Sequence, residues 1–477
     1  MTSTFGTLNT AYRGLSAAST GLGVVGENIS NASVDGYTRQ RVTTSSIEAV
    51  QNGLFTKGTT IGQGVSVDGV ARLADATADA QVRSTASAAG YSSVRSDALS
   101  TLETGLNEPG TSGLSTQLSN FWSAWSDVSN APGKTAPATA LLGQANSIVQ
   151  TIAAGYQSVS DQWSSARSSV DTLATQLNQD GAQIADLNTQ IRTGLQTGSN
   201  VNELLDKRSL LTEDVAKLAG GTVHQNTDGT VDVLVGGNAL VSGDTARTVQ
   251  VTGAKTLDGS AASPVQLEWT HRPGASVGLD GGSIAGTLSV LAPASTDGSG
   301  TGGVLAEAAS SYNALATQLA TTVNAVHETG ATASGATGTD FFTLSTSAPA
   351  ALGLSVLPTD ASQIASAAPG SGALDGSVAD KIHQIGISAT APDKTWASFV
   401  TSTGSLAKAA ITGSDRATTA ATNAKTQQAS GASVDLDEEN VNLLTFQHAY
   451  QGAARMMTAV DSMLDTLINH MGLVGMS

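Results

Sequence analysis

The sequence predicts a mainly α, elongated, multidomain protein with a β-rich inserted domain. Its N- and C-terminal helices should pair as a coiled coil around a long helical bundle in the middle. Three observations carry this expectation. Near the N-terminus, Phe5, Leu8, Tyr12, Leu15, Ser19, Leu22, Gly26 and Ile29 alternate spacings of three and four, the coiled-coil period. Near the C-terminus, Leu436, Glu439, Leu443, Phe446, Tyr450, Ala453, Met457, Val460, Leu464, Leu467 and Met471 do the same. Between them, valine-rich runs separated by glycine turns replace the helical period over residues 221–300. Neither terminal stripe can be buried alone, so pairing the first helix with the last is the economical arrangement.

Along the chain, residues 4–30 form the first helix, and a turn-rich segment follows at Asn31, Asp35 and Gly36. Residues 58–70 alternate as short strands do, with Val65 and Val67 on one side. A helix of small residues spans 72–106 and stops at Glu108-Pro109-Gly110. Residues 114–129 carry Phe121, Trp122 and Trp125 on a second helix, closed by Ala131-Pro132-Gly133. From 139 to 195 a third heptad stripe runs through Val159, Trp163, Val170, Leu177, Ile184 and Ile191, interrupted only by Asp180. Residues 202–218 add one more helix. At Gly220-Gly221 hairpins begin, with turns at Asp228-Gly229 and Gly236-Gly237. Helix returns at 305–328, strand and turn signals mix through 341–390, and a helix of small residues covers 394–428. The expected division is therefore 1–35 with 436–477 as a terminal coiled-coil domain, 36–220 with 301–435 as a helical middle, and 221–300 as a β-rich outer insertion.

Composition narrows the function. The chain has 477 residues, enough for two to four domains. Aromatics make up 4% and charged residues 13%, which suits thin modules better than one compact core. A net charge of -17 argues against nucleic acid and against anionic membrane surfaces. There is no cysteine, so no disulfide framework or thiolate metal site. No basic and apolar leader and no membrane-length apolar run occur, so the protein should stay in the cytoplasm or leave without a cleaved signal peptide, and no membrane insertion is expected.

The literal motifs do not describe chemistry. Gly21-Leu22-Gly23-Val24-Val25-Gly26 fits the dinucleotide fingerprint, but it follows a heptad helix where a strand is required. Gly274-Ala275-Ser276-Val277-Gly278 fits the hydrolase elbow, but Pro273 and Asp280-Gly281-Gly282 make it a turn. The histidines at 224, 271, 327, 383, 448 and 470 show no ligand spacing and are expected at the surface or in packing. Asp435, Asp437, Glu438 and Glu439 stand where a helix dipole favours carboxylates, without the spacing of a calcium loop. Asn28-Ile29-Ser30 and Asn31-Ala32-Ser33 match the glycosylation sequon by accident. No catalytic residue, metal or cofactor is expected, and the protein is not expected to be an enzyme.

Several segments nevertheless form a signature. Gly14-Leu15-Ser16-Ala17, Asn28-Ile29-Ser30-Asn31 and Gly36-Tyr37-Thr38-Arg39-Gln40 resemble the N-terminus of the flagellar rod, hook and hook-associated family. Val34 and Asp35 depart from its usual threonine and proline, which touches only the local turn. Ser430-Gly431, Leu436-Asp437-Glu438-Glu439, Asn442-Leu443-Leu444, Phe446-Gln447 and Ala449-Tyr450-Gln451 are similar to the C-terminus of the hook–filament junction branch of that family. So are Asn202-Glu203-Leu204-Leu205-Asp206-Lys207-Arg208, Ser129-Asn130-Ala131-Pro132 and Asp340-Phe341-Phe342.

The resemblance implies a structural component of the bacterial flagellum, cytoplasmic before export through the flagellar type III apparatus and extracellular afterwards. Terminal helices would form an inner tube, the helical middle an outer tube, and the insertion the exposed surface. Partners would be copies of itself, hook protein, a second hook–filament junction protein, and an export chaperone on the C-terminal helix. Phe5, Leu8, Tyr12, Leu15, Leu22, Ile29, Leu443, Phe446, Tyr450, Met457, Val460, Leu464, Leu467 and Met471 are the expected assembly interface. Asn28, Asn31, Gly36, Tyr37, Arg39, Leu436, Asp437, Glu438 and Glu439 carry the family motif. Two other readings stay open: another flagellar axial protein of the hook or rod, and a secreted protein whose β domain is an enzyme or binds carbohydrate.

Overall fold

The computed structural model describes residues 4–48, 62–466 and 468. Helix α1 (Thr4–Asn31) leads into an antiparallel hairpin of β1 (Gln40–Ser46) and β2 (Val65–Arg72), in which Gln40 faces Arg72 and Ser46 faces Val65. Helices α2 (Ala76–Leu106), α3 (Leu114–Asn130), α4 (Thr135–Thr197) and α5 (Asn202–Ala219) follow. At 63 residues, α4 is about 95 Å long. Strands β3 (Thr222–Gln225), β4 (Val231–Val235), β5 (Asn238–Ser242) and β6 (Thr245–Ala246) form one antiparallel sheet in sequence order, and β7 (Val249–Thr252) pairs with β8 (Gln266–Trp269).

The chain continues as α6 (Gly282–Leu291), α7 (Val304–His327), β9 (Phe342–Leu344), α8 (Ala350–Gly353), β10 (Leu354–Val356), α9 (Ser377–Ile387), α10 (Pro392–Ala432) and α11 (Leu436–Asp465). Two of these helices stand where the sequence reading differs. Residues 282–291, read as part of the β stretch, are α6, and 377–387, read as strand and turn, are α9. Isolated glycines at 286 and 386 weaken the helical signal. Tertiary packing decides instead. A Cβ at Gly286 would lie 2.7 Å from the Tyr91 carbonyl of α2, and one at Gly386 would run into the Trp122 ring of α3.

The body's core follows α4. Leu141, Ala145, Ile148, Ile152, Tyr156, Trp163, Val170, Leu177, Ile184 and Ile191 are all buried at helical spacing. At one end Phe121 and Trp125 of α3 pack on Phe341, Phe342 and His327. At the other, two asparagines dock strands onto the helix. The Asn178 side chain accepts from the Val249 N–H (2.8 Å) and donates to the Val249 carbonyl (2.9 Å). Asn188 does the same for Val231, at 3.1 and 2.8 Å. A side-chain amide thereby supplies the donor and acceptor that a neighbouring strand would offer.

Candidate assembly site at the terminal helices

Helices α1 and α11 lie side by side and antiparallel: Gly14 faces Ala453, while Gly21 faces Phe446. A Cβ at Gly21 would sit 2.5 Å from the Phe446 ring, so the ring occupies the space that glycine leaves. The buried positions of α1 are Ala11, Ala18, Gly21, Val25 and Asn28, and those of α11 are Glu439 and Val460. On α1 this keeps the heptad spacing but lies one residue round the helix from the expected stripe, whereas Glu439 and Val460 of α11 fall on it. Phe5 and Tyr12 are 68% and 61% exposed, and Leu436 and Tyr450 also face solvent. Leu8, Leu15, Leu22, Ile29, Leu443, Met457 and Leu464 flank the seam, half-buried, and Phe446, also half-buried, enters it at Gly21. Leu467 and Met471 lie outside the described residues. The physical reason is close approach: alanine and glycine let the two backbones meet, whereas a row of large side chains would hold them apart. Consequently Phe5, Tyr12, Leu444, Tyr450, Met456 and Met463 are left exposed on the pair in one chain.

The motif residues hold this pair to the body. The Asp435 side chain caps α11, accepting from the amides of Asp437 (2.9 Å) and Glu438 (3.3 Å). Arg39 donates to Glu438 (2.8 Å) and to the buried Glu439 (2.7 Å), and its backbone N–H donates to the Ala432 carbonyl (2.8 Å). The Arg39 guanidinium in turn holds the Glu438 carboxyl below its usual range. Buried Asn28 donates to the Gln40 carbonyl (2.9 Å) and accepts from the Gln40 amide (3.0 Å) and the Tyr37 hydroxyl (2.9 Å). Its amide is therefore committed to the turn. Burial, with Glu27 nearby, pushes the Tyr37 phenol up to about 12. Asn31 donates back to Glu27 (3.1 Å). Gly36 has φ +76° and lies against Leu210 of α5, so a side chain fails there on conformation and on space.

A further set of residues, for which sequence reasoning assigned no role, completes the joint. Asn202 of α5 donates to the Gln40 side chain (2.9 Å) and the Val70 carbonyl (3.0 Å). Asp206 accepts from the Thr38 amide (3.0 Å) and pairs with Arg72. Arg208 donates to Asn188 of α4 (2.9 Å) and the Gly229 carbonyl (2.7 Å), and burial pushes its guanidinium down to about 10. The available signal was buried-type spacing of polar residues: Asn202, Asp206 and Ser209 recur at helical intervals, and Arg208 opens the other side of α5. The motif stretch 202–208 thus ties the terminal hairpin, α4 and the β turn at one place. Among the described residues no group of acidic or histidine side chains is arranged to hold a metal, and no helix is long and apolar enough to cross a membrane. His327, buried, donates from Nδ1 to the Thr339 carbonyl (2.6 Å) and accepts at Nε2 from the Ala365 amide (2.9 Å), a packing role.

Comparison with known proteins agrees with this architecture. Residues 8–38 match the flagella basal body rod protein family, and 427–470 match the flagellar basal body rod FlgEFG protein C-terminal family. Both terminal helices are thus of the flagellar axial class. Residues 99–342, half of the chain, match the flagellar hook-associated protein FlgK helical domain. The chain belongs to the FlgK family of flagellar hook-associated proteins, structural components of the bacterial flagellum. Flagellar hook-associated protein 1 of Bacillus subtilis is 29% identical over the whole of both chains. The Escherichia coli and Salmonella typhimurium proteins of that name are 29% and 30% identical over 71% of this chain, which spans 60% and 59% of their lengths. The solved flagellar hook junction protein FlgK from Burkholderia pseudomallei shares the fold, with a TM-score of 0.63 over 73% of this chain and 99% of that one, at 15% identity.

Proposed function

We propose that this protein joins hook to filament, a structural rather than catalytic role. The observation that carries the reading is the uncovered apolar exterior of the α1–α11 pair, where Phe5, Tyr12, Tyr450 and Met463 face water in a single chain. Copies of the chain packed side by side would cover it, building an inner tube from residues 1–35 and 436–477. Residues 36–220 and 301–435 would form the outer tube, and 221–300 would face outward. Hook protein on one side and a second junction protein on the other would complete the contacts. Before export an export chaperone would shield the C-terminal helix, and the export apparatus would then carry the chain out of the cytoplasm. Electron microscopy of flagella labelled with antibody to residues 221–300 tests this. Label confined to the hook–filament boundary is expected; label along the hook or rod would assign the chain to another axial position.

A further inference from the structure

The one break in the long stripe of α4 is Asp180, and the structure gives it surroundings unlike those of the other carboxylates. It is 6% exposed, and its Oδ2 is buried with no hydrogen-bond partner. The adjoining Gly181 presses on β5, where a Cβ would lie 3.4 Å from Leu240 and 3.7 Å from Val241. Asn178 and Asn188, the two residues that dock strands, stand on either side of it along the helix. The charged groups around this joint are few. Helix α5 offers Asp214, with Glu213 and Lys217 beside it, and also Arg208, which is committed to Asn188 and the Gly229 carbonyl; Glu213 is paired to Lys425 of α10. Strand β3 carries the exposed His224, and strand β4 offers Asp232, which accepts from the Gly243 amide. Strands β5, β6 and β7 and helix α6 carry no titratable residue. On α4 itself the neighbours are Asp186, and Arg192 bound to Asp244. Among the described residues no cation pairs with Asp180, and the charge that acts on it is Asp214.

We propose that Asp180 is a pH-sensitive release point in the joint between α4, α5 and the β3–β6 sheet, tight while the carboxyl carries its proton and loosened when it ionises. An ionised carboxylate with one oxygen sealed from water and without a donor is costly, and here the charge that acts on it is another carboxylate, Asp214. Burial first, and then Asp214, push the Asp180 carboxyl up to about 6. The contribution of the protonated group is complete below its ordinary value of 3.8 and is lost as pH rises through about 6. Acidification thus firms the joint, and neutral pH frees the strands that rest on α4.

Hydrogen exchange of the full-length protein, corrected for intrinsic rates, reads this directly. Between pH 5.0 and 7.5 the opening equilibrium for amides in 178–188 and 238–243 should rise about tenfold. Asp180→Asn should remove that pH dependence and hold the joint at its acid-like protection. Asp214→Asn, which leaves the carboxyl in place, should shrink the rise. Equal protection at both pH values in the wild type, or an undiminished rise in Asp180→Asn, overturns the proposal. So does an undiminished rise in Asp214→Asn should the first variant fail to fold.

Discussion

Along α4 the buried positions include Leu141, Ile148, Tyr156, Trp163 and Leu177, whereas along α1 they are Ala11, Ala18, Gly21, Val25 and Asn28. Both helices keep a heptad period, yet the body turns its large side chains inward and the terminal pair leaves many of its own outside. The difference teaches how to read a stripe. In the body, several helices surround α4, so every large residue finds a partner in the same chain. At the termini one helix meets one helix, and the small residues win the contact because they bring the backbones closest. What remains outside is an apolar surface suited to further copies.

The comparison breaks most visibly at the aromatic cluster. Replacing Trp125, fully buried against Phe121, Phe341 and His327, with alanine should cost the body about 4 kcal/mol. Chemical denaturation would show it as a lowered midpoint. A midpoint that stays put would mean that the body does not rely on its large inward residues.

At the seam the smaller side must not grow. Gly21→Leu should clash with Phe446 and cost about 2 kcal/mol in α1 docking, leaving the body transition unchanged. Limited proteolysis should then remove the first 30 or so residues faster. Combining it with Phe446→Ala should restore part of the protection. If the single variant is as resistant as the wild type, the seam does not depend on that close approach.

His327 sharpens the body's half of the contrast. Burial lowers the affinity of its ring for a proton, so the folded protein holds it neutral while the unfolded chain protonates near its ordinary value of 6.5. Its contribution is complete above that value and declines as pH falls below it, by up to about 1.4 kcal/mol per pH unit. Asp180 acts in the opposite direction, so the informative quantity is the difference from His327→Gln. Denaturation of both proteins at pH 7 and 5 should show the wild type losing more stability on acidification; equal losses would refute the assignment.

The smallest effect on stability should come with the largest effect on assembly. Tyr12→Ser lies on the exposed side and should change monomer stability by no more than about 0.5 kcal/mol. Cells carrying it should make hooks with fewer attached filaments and shed filament protein into the medium. Normal attachment would show that the uncovered exterior is not where copies meet.

Much of the architecture was legible in the sequence because periodicity and punctuation are local. The three heptad stripes, the breaks at Pro109 and Pro132, the hairpins after Gly220 and the capping carboxylate Asp435 before Leu436 each follow from a few neighbouring residues. Helices α6 and α9 escaped because each carries a glycine that a local reading counts against helix, while a tryptophan or a backbone carbonyl from another helix makes that glycine necessary. Tertiary structure alone decided which edge of the N-terminal stripe closes, since that depends on how near two axes can come. It also decided that Arg39, Asp206 and Asn202 meet at one joint. Residues some 400 and 170 positions apart leave no local trace of their pairing, because the geometry that joins them exists only once the chain has folded.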